Sequence, residues 1–134
     1  MTAPRRGLLD TSIFIAGETG RVLNEAAIPD ESAVSVITVA ELHVGVLAAR
    51  DVDARARRLA AVGAIGDVQV LAVDEPVATA WARLRVHLAE LGRGINVNDL
   101  WIAATAVAHG IPVVTQDDDF DAVDGLGGLS VIRA

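Results

Sequence analysis

Short apolar segments alternate with longer segments of helical spacing along most of the chain. The short segments have the length of β-strands and cover residues 7–10, 33–36, 69–73, 111–115 and 129–132. Apolar positions three and four residues apart predict helices over residues 38–49, 51–65, 75–91 and 99–109. Because strands and helices alternate, we expect an α/β fold, a three-layer sandwich in which helices flank a mainly parallel central sheet.

Residues typical of helix boundaries occur where these segments meet. Asp10 is a good N-cap directly after the first strand, so a helix is also expected there. Asp74 precedes Pro76, which is the arrangement of a cap followed by proline in the first helical turn. Gly110 follows the last periodic segment and predicts the end of its helix.

Length and composition predict one globular domain over residues 1–134. The sequence is 52% hydrophobic, which is too apolar for a disordered chain, yet no apolar run reaches the roughly 18 residues of a membrane span. Two arginines near the start are not followed by the apolar run of about 7 to 15 residues that a secretory signal needs. We therefore expect a soluble, cytoplasmic protein.

Two residue types are missing. The chain has no cysteine, which excludes disulfides, thiolate nucleophiles and cysteine-ligated metal centres. All 11 basic residues are arginine, so Schiff-base chemistry and the Walker A lysine are excluded as well. A net charge of −7 argues against nucleic-acid binding by bulk electrostatics, so any such contact requires a local patch or a bound metal.

Four acidic residues from distant parts of the chain fall where strands end or where the next helix begins. In open parallel α/β sheets, ligands bind outside the carboxyl ends of the strands. We therefore expect these acids to meet at one edge of the sheet, and we refer to them as the acidic quartet: Asp10, Glu41, Asp99 and Asp117.

Glu41 and Asp99 carry the strongest indication of a site. Each lies on an apolar helix face. Val44 follows Glu41 by three residues, and Ile102 follows Asp99 by three residues. Burying an unpaired carboxylate is costly, and no basic residue lies within one turn of either acid. An uncompensated cluster raises its own pKa values, so we expect a divalent cation to bind it.

The chemistry of the quartet predicts which cation it binds. Oxygen ligands without cysteine or paired histidine favour Mg²⁺ or Mn²⁺ over Zn²⁺. Direct contacts are expected from Asp10 and Asp99. Glu41 and Asp117 are expected to complete the site directly, through water, or by orienting the nucleophile. Such a site suits hydrolysis of a phosphodiester bond by a metal-activated water.

Each acid taken alone also has an ordinary structural explanation. Asp10 can serve only as a helix cap, and Asp99 can supply negative charge at a helix start. Glu41 can pair with a distant arginine, and Asp117 can belong to a solvated acidic turn. Their joint occurrence at one predicted edge favours a site.

Four short motifs occur in order along the chain: DTS at residues 10–12, TVAEL at 38–42, NDLWIAA at 98–104 and TQDDDF at 115–120. In order and spacing they resemble the motifs of PIN-domain ribonucleases, in particular the VapC-type toxins of bacterial toxin–antitoxin pairs. The likeness spans essentially the whole chain. It implies a PIN-like α/β sandwich, Mg²⁺- or Mn²⁺-dependent endoribonuclease activity, a homodimer and inhibition by a VapB-like antitoxin. The implied substrate is RNA, with tRNA and rRNA as candidate classes.

The resemblance assigns the acidic quartet to the four acids of the family and gives other motif residues secondary roles. Thr115 matches the polar residue before the fourth acid, where a hydroxyl can orient a ligand or water. Asp119 corresponds to an acid that often precedes the phenylalanine of the last motif. Thr11 and Asn98 lie beside the first and third acids and complete the secondary set.

Three arginines are candidates for RNA contact: Arg83, Arg85 and Arg93. They lie on or just after the predicted helix 75–91 and can form a local phosphate-binding strip. Because helical neighbours two positions apart diverge around the helix, only part of this strip can face RNA. A solvated helix face explains the same residues.

Two other function classes remain open at this point. A non-catalytic interaction module would keep the acids for stability or for docking an antitoxin, and it would leave RNA intact. A phosphotransfer protein such as a receiver domain also gathers aspartates at strand ends, but this chain has no lysine of the kind those domains use.

Overall fold

A computed structural model describes residues 5–134 and contains five strands and five α-helices in that part of the chain. The strands are β1 (Arg6–Leu9), β2 (Glu31–Ser35), β3 (Gln69–Leu71), β4 (Val113–Thr115) and β5 (Val131–Arg133). The helices are α1 (Thr11–Ile15), α2 (Val36–Leu47), α3 (Val52–Gly63), α4 (Glu75–Glu90) and α5 (Val97–His109). Short 3₁₀ turns cover Glu25–Ala27, Asp121–Val123 and Leu126–Gly128.

The five strands form one sheet in the order β3-β2-β1-β4-β5, and every neighbouring pair is parallel. The central strand β1 pairs with β2 through Leu8 and Ala33, and with β4 through Leu8 and Val113. The predicted parallel sheet is therefore confirmed. Its chain order reverses beside β1, and this is where open α/β sheets bind their ligands.

Helices cover both faces of the sheet, which confirms the three-layer sandwich. Successive side chains of a strand point to opposite faces, and β1 shows the consequence directly. Leu8 packs in a core with α4 and α5, whereas Leu9 packs in a second core with α1, α2 and α3. Residues 8 and 9 are both buried, so the near-continuous apolar strands of the sequence reflect burial on both sides.

Several boundaries differ from the sequence prediction because side-chain caps begin the helices earlier. Ser35 Oγ accepts a hydrogen bond of 3.1 Å from the backbone nitrogen of Ile37, so α2 begins at Val36, which the apolar pattern had assigned to a strand. Asn96 Oδ1 accepts a bond of 2.9 Å from the backbone nitrogen of Asn98, so α5 begins two residues before Asp99.

Other predicted strands are also displaced or shortened, among them the one expected over 111–115, which begins at Val113. The strand expected over 69–73 ends at Leu71. The last strand begins at Val131 rather than at residue 129, because the chain first makes the 3₁₀ turn Leu126–Gly128, closed by a bond of 2.9 Å from Leu129 N to Leu126 O. Within residues 5–134, no helix is long and apolar enough to cross a membrane.

Candidate active site

The carboxyl edge of the sheet brings together the elements that carry the acidic quartet. Asp10 directly follows β1, and Asp117 follows β4, which is the neighbour of β1 in the sheet. Glu41 lies in the second turn of α2, which begins where β2 ends. Asp99 is the third residue of α5, whose opposite end leads into β4.

Asp10 combines the capping role with a position at the centre of the edge. Its Oδ2 atom caps α1 by accepting a hydrogen bond of 3.3 Å from the backbone nitrogen of Ser12. The same oxygen accepts a bond of 2.9 Å from Thr115 Oγ1. The residue is only 4% exposed, and this burial raises the pKa of the Asp10 carboxyl even though the hydroxyl and backbone donors act to lower it.

A buried pair of hydroxyls joins the ends of β1 and β4. Thr115 gives its hydroxyl proton to Asp10, so the 3.2 Å contact between Ser12 Oγ and Thr115 Oγ1 has the serine as donor. The backbone nitrogens of Gln116 and Asp117 donate to Ser12 Oγ at 3.0 Å and to Thr115 Oγ1 at 3.1 Å. This network fixes the orientation of Asp10 and the path of the chain that carries Asp117.

Glu41 is oriented by a second pair of hydroxyls. Thr11 Oγ1 donates to Glu41 Oε1 at 2.8 Å, and it lies 3.0 Å from Oγ1 of the fully buried Thr38. A threonine hydroxyl has one proton, so the proton between the two threonines comes from Thr38. The hydroxyl chain through Thr115 therefore ends on a carboxylate oxygen of Asp10, and the chain through Thr11 ends on one of Glu41. Neither chain brings a positive charge to its carboxylate.

The charges of the other acids act on Asp99. Burial raises the pKa of the Asp99 carboxyl to about 7, and repulsion from Asp10, Asp119, Glu41 and Asp117 adds to the shift. Charged groups change a pKa strongly only at short range. All members of the quartet, together with Asp119, are therefore within electrostatic reach of one carboxyl group.

Asp117 and its neighbours lie at the open side of the site. Asp117 pairs with Arg21, whose Nη1 lies 2.5 Å from Asp117 Oδ1. Asp118 is exposed and pairs with Arg133. Asp119 is also exposed, and it acts on Asp99 through its charge.

The donor set fits an oxygen-preferring divalent cation. Asp10 and Asp99 have no basic side chain within 4.0 Å among residues 5–134, so their repulsion is not neutralised by the protein. In the described part of the chain, no three acidic or histidine side chains converge closely enough to hold a metal by themselves. Mg²⁺ commonly binds through one or two carboxylates and several waters, so two carboxylates are a sufficient protein donor set for this ion.

An open cleft of about 610 Å³ gives access to Asp99. It is lined by the loop before α5 and by the segment after β4: Gly94, Ile95, Asn96, Asp99, Asp118, Asp119 and Ala122. A cleft that is open and strongly acidic is suited to a bound cation and an extended substrate more than to a small apolar ligand.

The remaining predicted residues occupy different places. Arg93 is exposed and donates to the backbone oxygen of Ala122 at 3.3 Å, beside the acidic cleft. Asn98 is exposed at the start of α5. Arg83 lines a separate cleft with Val107, eight residues along α5 from Asp99 or about 12 Å of helix. Arg85 is exposed two residues from Arg83, so the structure brings Arg93, but not Arg83, to the acids.

A family model described as the PIN domain matches residues 7–126. The sequence is 56% identical to Ribonuclease VapC5 of Mycobacterium tuberculosis over 132 residues, which is 98% of each chain. The chain belongs to the PIN-domain family. Within this family it groups with the VapC ribonucleases, as predicted from the four motifs.

Solved structures of other proteins superpose on the whole fold. A crystal structure of VapBC-5, a member of the VapBC family of toxin-antitoxin systems from M. tuberculosis, matches with a TM-score of 0.92 and 53% identity, covering 98% of this chain and 100% of that chain. FitAcB from Neisseria gonorrhoeae matches with a TM-score of 0.70 and 30% identity, covering 93% and 95%. The likeness thus includes every element that carries the acidic quartet.

Sequence reasoning missed three residues that contact the site. Ser12 belongs to the DTS motif and Thr38 lies one helical turn before Glu41, so both were present in the motifs without an assigned role. Arg21 lies in no motif, and its contact with Asp117 joins residues 96 positions apart. No local sequence pattern predicts such a contact.

Proposed function

We propose that this PIN-domain protein is a metal-dependent endoribonuclease and the toxin of a VapBC pair, and that the acidic quartet is its catalytic centre. The observation that carries the proposal is Asp99, whose carboxyl is repelled by the charges of four other acids and has no basic side chain within 4.0 Å among residues 5–134. The family relationship supplies the reaction, since the matched relatives are named ribonucleases.

Asp10 and Asp99 are the residues that would hold Mg²⁺ or Mn²⁺ in this proposal. The chemistry supplied by the bound ion is polarisation of the scissile phosphate and activation of the attacking water. Glu41 and Asp117 would complete the site directly, through water, or by orienting the nucleophile. Thr115 holds the Asp10 carboxylate, whose Oδ2 atom it already contacts at 2.9 Å.

The other assigned residues support this chemistry. Thr11 holds Glu41 through a bond of 2.8 Å, and Asp119 contributes charge next to Asp99. Asn98 and Arg93 lie near the mouth of the acidic cleft and are proposed to contact the RNA strand. Arg83 and Arg85 are proposed to contact only RNA that extends well beyond the cleft, since Arg83 lies toward the other end of α5.

A VapB-like antitoxin is the proposed partner. Solved relatives include VapBC-5 from M. tuberculosis and DNA-bound VapBC from Salmonella typhimurium, which are toxin–antitoxin assemblies by name. We also propose a homodimer of single-domain chains. Apolar side chains that a monomer leaves exposed support further interfaces, among them Val44, Leu47 and Val52 around the α2–α3 connection. A monomer in light scattering at micromolar concentration would contradict the dimer.

The proposal is tested by incubating the purified protein with total cellular RNA and sequencing the cut ends. We expect defined cleavage sites that require Mg²⁺ or Mn²⁺ and disappear with EDTA. Asp99→Asn, which keeps the size of the side chain, is expected to abolish the cuts and leave the fold intact. Uptake of Mn²⁺ by a protein that leaves every RNA uncut would instead favour a non-catalytic binding module.

A further inference from the structure

One arginine reaches the acidic quartet from an unexpected part of the chain. Among residues 5–134, Arg21 is the arginine whose side chain forms an ion pair with a quartet member, with Nη1 at 2.5 Å from Asp117 Oδ1. It lies in the loop between α1 and β2. The loop therefore brings a cation to the edge of the acidic site.

The loop is tied to the site on both sides of Arg21. The backbone nitrogen of Arg21 donates to the oxygen of Ala16 at 2.9 Å. The next residue, Val22, accepts a bond of 3.2 Å from Gln116 Nε2. Gln116 precedes Asp117, so the arginine and its carboxylate partner are held by connections that do not involve their own ion pair.

Stability alone does not explain this pair. The side chain of Arg21 is 53% exposed and that of Asp117 is 31% exposed, and exposed ion pairs contribute little to folding. A guanidinium has five N–H donors. Within residues 5–134, the guanidinium of Arg21 pairs with Asp117. The other N–H donors of Arg21 therefore face solvent beside the acidic quartet.

The charge of the site makes such a cation useful for binding RNA. Asp99, Asp118 and Asp119 line the cleft, and the charges of Asp10, Glu41 and Asp117 also act on Asp99. One divalent ion neutralises only part of this charge, so an approaching phosphate group is still repelled. Arginine binds phosphate through strong, directional hydrogen bonds, and Arg21 offers free donors at this position.

We propose that Arg21 binds a phosphate of the RNA strand next to the site of cleavage, while Asp117 holds its guanidinium in position. This inference rests on the proposed ribonuclease function and adds to it an RNA-contacting residue outside the four motifs. Arg133 differs from Arg21 in this respect, because it pairs with Asp118 and Asp121, which do not belong to the acidic quartet.

The test measures binding of RNA without cleavage. Asp99→Asn is combined with Arg21→Gln, and binding of a fluorescein-labelled single-stranded RNA of mixed sequence is followed by fluorescence anisotropy at several KCl concentrations. Arg55→Gln in the same background is the matched control, because Arg55 is exposed on α3 and its loss changes the net charge equally.

We expect Arg21→Gln to raise the Kd about tenfold and to reduce the salt slope by about 0.7, the value for one phosphate contact on a single strand. Arg21→Lys is expected to keep the salt slope, since it retains the charge. The inference is overturned if Arg21→Gln binds RNA like Arg55→Gln, or if the Asp99→Asn protein does not bind the RNA at all.

These outcomes are distinct from failure of the proposed function. Cleavage of cellular RNA by the unaltered protein, together with equal binding by the two glutamine variants, removes only the role of Arg21. Absence of any metal-dependent cleavage by the unaltered protein removes the ribonuclease proposal itself.

Discussion

The two sides of the acidic site are held in different ways. On the inner side, Asp10 and Glu41 accept hydrogen bonds from the neutral hydroxyls of Thr115 and Thr11. On the outer side, Asp117 and Asp118 pair with exposed arginines. Neutral donors fix a carboxylate without cancelling its charge, whereas arginines cancel it. The inner side is thus prepared to bind a cation, whereas the outer side presents arginines to solvent and substrate.

The largest expected effect comes from removing charge on the inner side. Asp10→Asn is expected to lower RNA cleavage by about 100-fold or more, because a catalytic metal contributes several kcal/mol to the reaction. Thermal unfolding should show a melting temperature equal to or above that of the unaltered protein, since the variant no longer buries a carboxylate. Retained cleavage by a folded Asp10→Asn protein would show that the inner side is only structural.

The next prediction concerns pH. The folded pKa of Asp99, about 7, is above the value of about 3.9 expected in the unfolded chain. The folded state therefore binds more protons between these values, and the metal-free protein loses stability as pH rises from about 4 to 7. A divalent cation requires the ionised carboxylate, so stabilisation by Mn²⁺ should grow from pH 5.5 to pH 8.

Melting curves with and without Mn²⁺ across this pH range check that prediction. Asp99→Asn is the matched control and should remove most of the pH dependence of the Mn²⁺ effect. A stabilisation by Mn²⁺ that is constant with pH would contradict the assignment of Asp99 as a cation ligand.

A smaller effect is expected at the hydroxyl that joins β1 and β4. Thr115→Val leaves the buried Ser12 hydroxyl and the backbone nitrogen of Asp117 without their acceptor. The expected loss is about 1–3 kcal/mol in the free energy of unfolding. Thr115→Ser keeps the hydroxyl, so denaturant titrations should show most of the lost free energy of unfolding restored in this variant. Equal losses in the two variants would contradict this prediction, because Thr115→Ser keeps the hydrogen bonds that Thr115→Val removes.

The smallest effect is expected on the outer side at Asp118. The residue is 83% exposed and pairs with an exposed Arg133, so Asp118→Asn should leave the free energy of unfolding almost unchanged. RNA cleavage should also stay within about threefold of the unaltered rate, in contrast to Asp10→Asn. A loss as large as that of Asp10→Asn would remove the distinction between the two sides.

The fold and the placement of the acids were largely predictable, for a physical reason. Strands such as the one containing Leu8 and Leu9 are apolar at successive positions because both faces are buried, and this pattern is characteristic of parallel sheets. Once the sheet is parallel, residues after β1 and β4 must lie at the same edge. The position of Asp10 beside the segment of Asp117 follows from that topology.

The helix starts and the arginine contact were not predictable in the same way. Ser35 and Asn96 begin their helices through local capping bonds that compete with the apolar pattern. Arg21 reaches Asp117 because the loop after α1 folds back onto the segment after β4. That contact depends on tertiary packing of residues far apart in the chain, and hydrophobic periodicity contains no information about it.

The most direct test of the central claim is the rate of RNA cleavage as a function of Mg²⁺ or Mn²⁺ concentration, measured for the unaltered protein and for Asp99→Asn. We predict saturable, metal-dependent cleavage by the unaltered protein and no measurable cleavage by Asp99→Asn, with both proteins folded by circular dichroism. Cleavage that persists in EDTA, or that Asp99→Asn retains, would contradict it.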